Sequence, residues 1–362
     1  MLRPAKLIAF QARVEPNKPA IVSGDSVVSY GMLEHAARAV AHRIAGYGLS
    51  PGSIVALSIE APGRHLAVSL ALERCGLVSA GFDSQQLLTA LPPVALVLTD
   101  KPFLAPDGKP AVVVDDSWFG VLPPDGAALP EPGPEDAYRM FAFPGAGSIT
   151  YSQARAAARA AESANALDMI GAFDRVLQLF GLITAAGYIG TLAALARGKT
   201  VYFPAAKQDP LQLVQVYQCQ IIQCTAAQLG AMLTRQQQRY LPLPSLVGIA
   251  VEGTLAAEAL LAARSLIAGR LLTTWGVPQL PIVSAELVGH QDAVAGAVGY
   301  VCPWAEGRVI DGTGQPLPPG RSGMLQVRSR LQGDPWLETD VQAAITPAGR
   351  LILASDNHEV RS

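Results

Sequence analysis

The chain has 362 residues, half of them hydrophobic and only 15% charged, with a formal net charge of -2. Such a composition supplies enough apolar material for more than one core and excludes the basic face that nucleic-acid binding requires. The four cysteines, Cys75, Cys219, Cys224 and Cys302, form neither a CxxC pair nor a zinc spacing, which fits buried thiols in a reducing, cytoplasmic setting.

In chain order, MLRPAKLIAFQARVEP is interrupted by Arg3, Pro4, Lys6 and Arg13 and lacks the apolar core of an export signal. Leu33, Ala37, Val40 and Ile44 recur at helical spacing, IVALSI at 54–59 has the character of a buried strand, and RHLAVSLALERCG at 64–76 is helical. A Pro- and Gly-rich stretch from Pro123 to Pro134 is expected to be a surface linker. FAFPGAGSITYSQ, Phe141 to Gln153, is expected to be a Gly-containing turn between a strand and the Ala-rich helix of 154–166. Val176 to Ala196 is an uncharged run of 21 residues. Its β-rich start and its glycines 181, 187 and 190 predict a strand, a turn and a core helix rather than a membrane span. TVYFP at 200–204 is a strand. Asp209 before Pro210 starts a helix, IIQC at 221–224 is the next strand, and a further helix runs through Leu229 and Leu233. After about residue 282 short strands and turns such as DGTG at 311–314 take over. This alternation predicts an α/β fold with two helix-covered, largely parallel sheets and a small β-rich, barrel-like subdomain. The expected domains are 1–134, first sheet and linker; 135–280, second sheet; and 281–362, β-rich.

His35, His42, His65, His290 and His358 are scattered over regions with different structural roles, His35 and His42 lie seven apart on one helix face without a carboxylate or Cys partner at ligand spacing, and no GxSxG elbow occurs. No catalytic or metal-ligating residue is therefore assigned. The hydrolase and metalloenzyme classes drop out.

Several segments, taken in order, carry a resemblance. Residues 20–83 run from AIVSGDSVVSYGMLEHAARAVAHRIAGYGLSPGSIVALSIEA to CGLVSAGFD; residues 208–255 hold a DP-started helix, LGAML and LVGIAVEGTL; residues 269–279 read GRLLTTWGVPQ; and 296–340 include GAVGYVCPWAEGRVIDGTGQPLPPGRSGMLQVRS. This succession resembles the acyl-adenylate-forming (AMP-binding) superfamily of acyl-CoA synthetases, peptide-synthetase adenylation domains and luciferases. The resemblance implies ATP or AMP as cofactor and a carboxylic acid as substrate. It places Glu252, Gly253 and Thr254 against an adenine edge, Trp275 and Gly276 at the aromatic-Gly pair that stacks on the base, and Asp340 at the ribose hydroxyls. An Asp accepts two hydrogen bonds from a diol and an indole offers a broad stacking face, so both residue types suit a nucleoside.

The chain departs from that pattern where the chemistry lies. Pro278 and Gln279 stand where the family has Thr and a Glu that holds magnesium, so a full negative charge is missing beside the cation. Glu286 lies seven residues on and is expected to be a charged surface residue. The phosphate-loop segment keeps Gly145 and Gly147 but has only Ser148 and Thr150 as hydroxyls, and no Lys occurs between Lys109 and Lys199. The family's Arg beyond the ribose Asp falls at Ser355. The resemblance also implies a C-terminal lid domain after a hinge, and the chain stops at Ser362 where the hinge is expected. On the acyl side, Gly181 replaces a bulky family residue, with Ala185, Ala186 and Gly187 nearby; a small apolar lining and close helix packing both explain them.

These observations support an adenylation-like protein impaired in catalysis that binds an acyl or aryl carboxylate, an acyl-carrier protein or a partner enzyme and acts as a scaffold or accessory subunit. One alternative is an active acyl-CoA or acyl-carrier ligase with an unusual loop and a lid supplied in trans. The other is a purely structural interaction module whose old pocket is filled by Trp275 and Met324.

Overall fold

Strands covered by helices on both faces have no polar side, so their sequences are near-continuous runs of Val, Ile, Leu and Ala rather than alternating patterns. A computed structural model describes residues 3–103, 111–120, 132–143, 147–289, 294, 296–330 and 334–354. Its contacts divide the chain into two units, Met1–Ala161 with Gly181–Ala205, and Glu162–Phe180 with Ala206–Ser362.

The first unit opens with α1 (Pro4–Val14), then β1 (Pro19–Ser23), β2 (Ser26–Ser29) and α2 (Tyr30–Ala45). Ser29 caps α2 by accepting the Met32 N–H at 3.2 Å, the local reason this helix starts where it does. β3 (Ile54–Ser58), α3 (Pro62–Arg74), β4 (Val78–Gly81), α4 (Gln85–Ala90), β5 (Leu96–Thr99) and β6 (Ala111–Val113) follow. β7 (Ala137–Phe143) and β8 (Gly147–Ser152) complete a six-stranded sheet in the order β6-β5-β3-β4-β7-β8, parallel except between β7 and β8. One face of this sheet packs Val55, Leu57, Leu96 and Leu98 with Val40, Ile44, Val68 and Leu72 of the two helices. The other packs Ala56, Ala80, Val97 and Met140 with Phe82 and Leu88.

α5 (Gln153–Asp168) comes directly after β8. The expected turn over 141–153 is instead an antiparallel hairpin, with Ala142 opposite Ser148 and Met140 opposite Thr150. Ser148 and Thr150 are thus exposed strand residues two apart on one side of β8. Gly145 lies outside the described residues, as do Ser355 and the 121–131 part of the expected linker.

The uncharged run that starts at Val176 divides as expected into β9 (Arg175–Gln178), of the second unit, and α6 (Ala185–Ala196), of the first. No helix among the described residues is long and apolar enough to cross a membrane. β10 (Thr200–Phe203) pairs parallel with β1, whose other neighbour is the antiparallel β2.

In the second unit, α7 (Pro210–Tyr217) is capped by Asp209, which accepts the Leu211 N–H at 3.0 Å. β11 (Ile221–Thr225) leads into α8 (Ala226–Gln238) through a reciprocal capping box, Thr225 Oγ1 with the Gln228 N–H and Gln228 Oε1 with the Thr225 N–H. β12 (Gly248–Glu252), α9 (Ala257–Leu266) and β13 (Arg270–Val277) follow, and β9, β11, β12 and β13 lie side by side and parallel. Beyond them lie β14 (Leu280–Leu287), β15 (Ala297–Val301), β16 (Ala305–Ile310), β17 (Gly323–Ser329), β18 (Leu337–Ile345) and β19 (Arg350–Leu353), joined to β13 in the order β16-β17-β18-β19-β15-β14 with every neighbouring pair antiparallel. This is the β-rich part expected from the turn signals. At DGTG, Asp311 Oδ1 accepts the N–H groups of Thr313 and Gln315, so the turn is set by one side chain.

Candidate ligand site

The carboxyl ends of adjacent parallel strands are where open α/β sheets place ligands, because the loops leaving them splay apart. In the second unit, register brings Thr225, Glu252 and Thr274 side by side at the ends of β11, β12 and β13. Gln178, at the end of β9, joins them by donating to Gln223 Oε1 at 2.7 Å. Of the residues picked out by the sequence, Glu252, Gly253 and Thr254 lie at this edge. Gly253 has φ +101°, a conformation other residues rarely adopt, and its N–H donates to the Thr274 carbonyl at 3.0 Å. The backbone after β12 is thereby turned sharply.

Glu252 is partly exposed, and burial alone raises its carboxyl to about 7. No charged group offsets that penalty among the causes of the shift. A carboxyl in this state is half-protonated near neutral pH and serves as both donor and acceptor.

Trp275 occupies different surroundings. It is 1% exposed and belongs to the core of the β-rich part, with Leu280, Val283, Val298, Val309 and Leu325. Its Nε1 has no hydrogen-bond partner among the described residues, so the indole acts there as an apolar filler. Gly276 is required by the hairpin itself, since a Cβ on it would lie 2.2 Å from the Pro281 carbonyl oxygen and 2.4 Å from that of Leu280. Asp340 is exposed on β18, and β19, β15, β14 and β13 lie between that strand and β12 in the sheet order.

Pro278 and Gln279 form the two-residue turn between β13 and β14, with Val277 paired to Leu280 on either side. Gln279 brings only a neutral amide there. Glu286 is not the surface carboxylate expected from the sequence: it is 7% exposed and accepts from Arg350 Nε at 2.9 Å. It pairs across β14 and β19 rather than offering oxygens to a cation. Among the described residues no group of three or more His, Cys, Asp or Glu side chains could hold a metal ion. The donor set at this turn does not fit a resident magnesium, which takes carboxylate and phosphate oxygens.

A cavity of about 720 Å3 opens in the first unit, lined among others by Ile21, Val28, Met32, His35, Arg64 and Phe119. None of the residues that the resemblance assigns to a nucleotide or acyl site lines it. One of its walls is braced by the Arg64–Asp116 ion pair.

Also in the first unit, the structure assembles a buried polar cluster that sequence spacing did not reveal. His65 and Ser69 lie one turn apart on α3, Ser79 on β4, Tyr138 and Arg139 on β7 and Tyr188 on α6. All six are buried, and the Tyr138 and Tyr188 hydroxyls share a hydrogen bond. The one signal for it in the sequence was an Arg inside the otherwise apolar strand AYRMFAF.

The sequence model of the family described as AMP-binding enzyme matches residues 147–332, just over half the chain. The chain belongs to the AMP-binding enzyme family. The chain is 25% identical over 380 residues to the indoleacetate-CoA ligase of Aromatoleum aromaticum, covering 93% of the chain and 72% of the ligase. A stretch of 133 residues, 34% of the chain, is 27% identical to 3% of a linear gramicidin synthase of Brevibacillus parabrevis. The unliganded O-succinylbenzoate coenzyme A synthetase of Bacillus subtilis superposes with a TM-score of 0.82 at 15% identity, over 97% of the chain and 78% of the synthetase. The N-terminal subdomain of Klebsiella oxytoca NpsA, solved with 3-hydroxybenzoyl-AMSN, gives 0.82 at 17% identity, over 98% of the chain and 100% of the subdomain. These likenesses to solved structures concern the fold, which is that of the N-terminal part of adenylate-forming enzymes.

Proposed function

We propose that this member of the AMP-binding enzyme family holds an acyl or aryl carboxylate, as an acyl- or carrier-binding subunit, and is impaired in activating that carboxylate with ATP. The observation that carries this reading is the β13–β14 turn. Pro278 and Gln279 leave no carboxylate at the tip, and Glu286 is committed to Arg350. A triphosphate brings several negative charges that magnesium and a loop lysine ordinarily neutralise. Here no Lys occurs between Lys109 and Lys199, and the hydroxyls Ser148 and Thr150 belong to a paired strand. The acyl group is assigned to the Gly181–Gly187 segment, where Gly181 is exposed and stands in place of the bulky residue the resemblance implies, while Ala185 and Gly187 are buried at the start of α6. That aromatic acids belong to the ligand class is supported by the likeness to the indoleacetate-CoA ligase.

Calorimetric titration tests this with ATP, AMP and an acyl sulfamoyladenosine, each with and without magnesium, alongside a pyrophosphate-release assay. The expected result is binding of the acyl sulfamoyladenosine independent of magnesium, with no pyrophosphate released. Micromolar, magnesium-dependent ATP binding with pyrophosphate release would overturn the impairment and make the chain an active ligase. Silence toward all three ligands would leave an interaction module.

A further inference from the structure

Arg139 is a charged residue at the centre of an apolar strand, and it is 0% exposed. Taking a guanidinium wholly out of water is costly unless other polar groups replace the solvent. Every group that does so here is neutral. Arg139 donates to the Leu182 carbonyl at 2.9 Å, to Ser79 Oγ at 3.2 Å, to Ser69 Oγ at 3.3 Å and to His65 Nε2 at 3.3 Å, and its Cζ lies 4.4 Å from the Tyr188 ring centroid. Arginine has no acceptor, so His65 Nε2 must present its lone pair, and its Nδ1–H then donates to the Ile59 carbonyl at 3.2 Å. Burial, and after it the Arg139 charge, hold His65 down to about 3, so it remains a neutral acceptor at ordinary pH.

The shortest of these bonds reaches furthest in function. Leu182 belongs to the turn that starts α6, where the Thr184 N–H donates to the Gly181 carbonyl at 3.1 Å and Thr184 Oγ1 accepts the Gly187 N–H at 3.1 Å. Gly81 of β4 makes the approach feasible. A Cβ there would lie 2.9 Å from Arg139 Nη2 and 2.9 Å from Ile183 Cγ2, so the arginine and the turn share space that only a glycine leaves open. An apolar side chain of similar length in place of Arg139 avoids the desolvation cost but leaves the Leu182 carbonyl without this donor.

We propose that Arg139 is a positioning residue: through the Leu182 carbonyl it fixes the Gly181–Thr184 turn of the first unit, the segment to which the acyl group is assigned above, and so sets which acyl groups that segment accepts. The inference rests on the carboxylate-binding reading above. Arg139 touches no ligand atom in this scheme; it acts through the turn.

The test compares wild type with Arg139→Met, Arg139→Lys and Gly81→Ala, the last crowding both the guanidinium and Ile183 of the turn. Hydrogen exchange is followed at the amides of Thr184–Tyr188 against those of α8 as an internal reference. Affinity is measured for benzoyl and octanoyl sulfamoyladenosine, which share the adenosine part and differ in the acyl part. In Arg139→Met and Gly81→Ala, exchange at 184–188 should rise about tenfold while α8 is unchanged, and the ratio of the two affinities should shift by about tenfold. Lysine should not rescue, because it lacks the fork that reaches the Leu182 carbonyl and the two serines together. A loss of stability alone lowers both affinities equally and leaves their ratio intact. An unchanged ratio, or exchange that rises uniformly in folded variants, overturns the proposal. If wild type binds neither compound, the carboxylate-binding reading fails and the acyl part of the inference with it; the exchange arm still decides whether Arg139 clamps the turn.

Discussion

At the scale of single residues, two carboxyls, Glu73 buried and Glu252 partly exposed, contribute to how stability depends on pH. Burial raises Glu73 to about 8, although both its oxygens accept from the Ala5 N–H at 3.2 and 3.0 Å, in the first turn of α1. Burial raises Glu252 to about 7. Both bind their proton more tightly in the folded state than in the unfolded chain, whose carboxyls titrate near 4.5. At these two sites the folded state carries extra protons between the ordinary carboxylate range and about 7 or 8, so their contribution to stability falls as pH rises across that window, while His65, held down to about 3, contributes with the opposite sign below about 6.5. Below it and above it these two groups contribute no slope. Glu252→Gln removes the ionisation and keeps the shape. Relative to wild type, the variant should be stabilised by about 1 to 2 kcal/mol more at about pH 8.5 than at about pH 4.5, with the partial exposure of Glu252 keeping the figure small. Urea unfolding at the two pH values measures it. An equal difference at both would show that the Glu252 carboxyl keeps its ordinary affinity for the proton in the folded protein.

Among the elements, the β13–β14 hairpin is the one whose geometry carries the functional reading, and it leaves Gly276 no room for a side chain. Gly276 faces backbone rather than the end of a flexible side chain: a Cβ would meet the Pro281 carbonyl oxygen at 2.2 Å and its carbon at 2.3 Å. Backbone in a paired strand has little room to yield, so Gly276→Ala should cost about 2 kcal/mol or more. The drop in urea midpoint at unchanged slope measures it; a cost within the scatter of surface substitutions would mean the hairpin is looser than described. Elements with local signals were legible in the sequence. α7 was marked by Asp209 and Pro210, and α6 by an apolar run with glycines at its start. The β7–β8 hairpin was not, because the glycines of FPGAG signal a turn but do not say that the residues after it return to pair with the strand before it. Pairing is a non-local fact, and Gly147–Ser152 has the exposed hydroxyls of a loop.

Across the whole molecule, the fold was carried by the order of segments, each weak alone, and their succession is what the family match and the superpositions also register. The edge formed by Glu252, Gly253 and Thr254 was legible for the same reason, since a strand-turn-helix in a parallel sheet puts its turn at the carboxyl edge. The Arg139 cluster was not, because His65, Ser79, Arg139 and Leu182 come from four separate stretches of chain and share no spacing. Glu286 was misread for a related reason: its partner Arg350 arrives from a distant strand. The cysteines join local and global scales. All four are buried. Burial pushes Cys75 up to about 11, Cys219 and Cys302 up to about 12, and Cys224 further still. The thiolate is the reactive form, so native protein is doubly protected, by access and by protonation. Cys75 reports on the first unit and Cys219, Cys224 and Cys302 on the second. A thiol-reactive chromogen should therefore find almost no reactive sulfur in native protein at about pH 8 and all four in denaturant, with labelling that rises only as the cores open. Mass spectrometry of the labelled peptides identifies which unit opens first as urea increases. A cysteine modified stoichiometrically within minutes in native buffer would contradict the packing described for its unit, and its position would say which core is open.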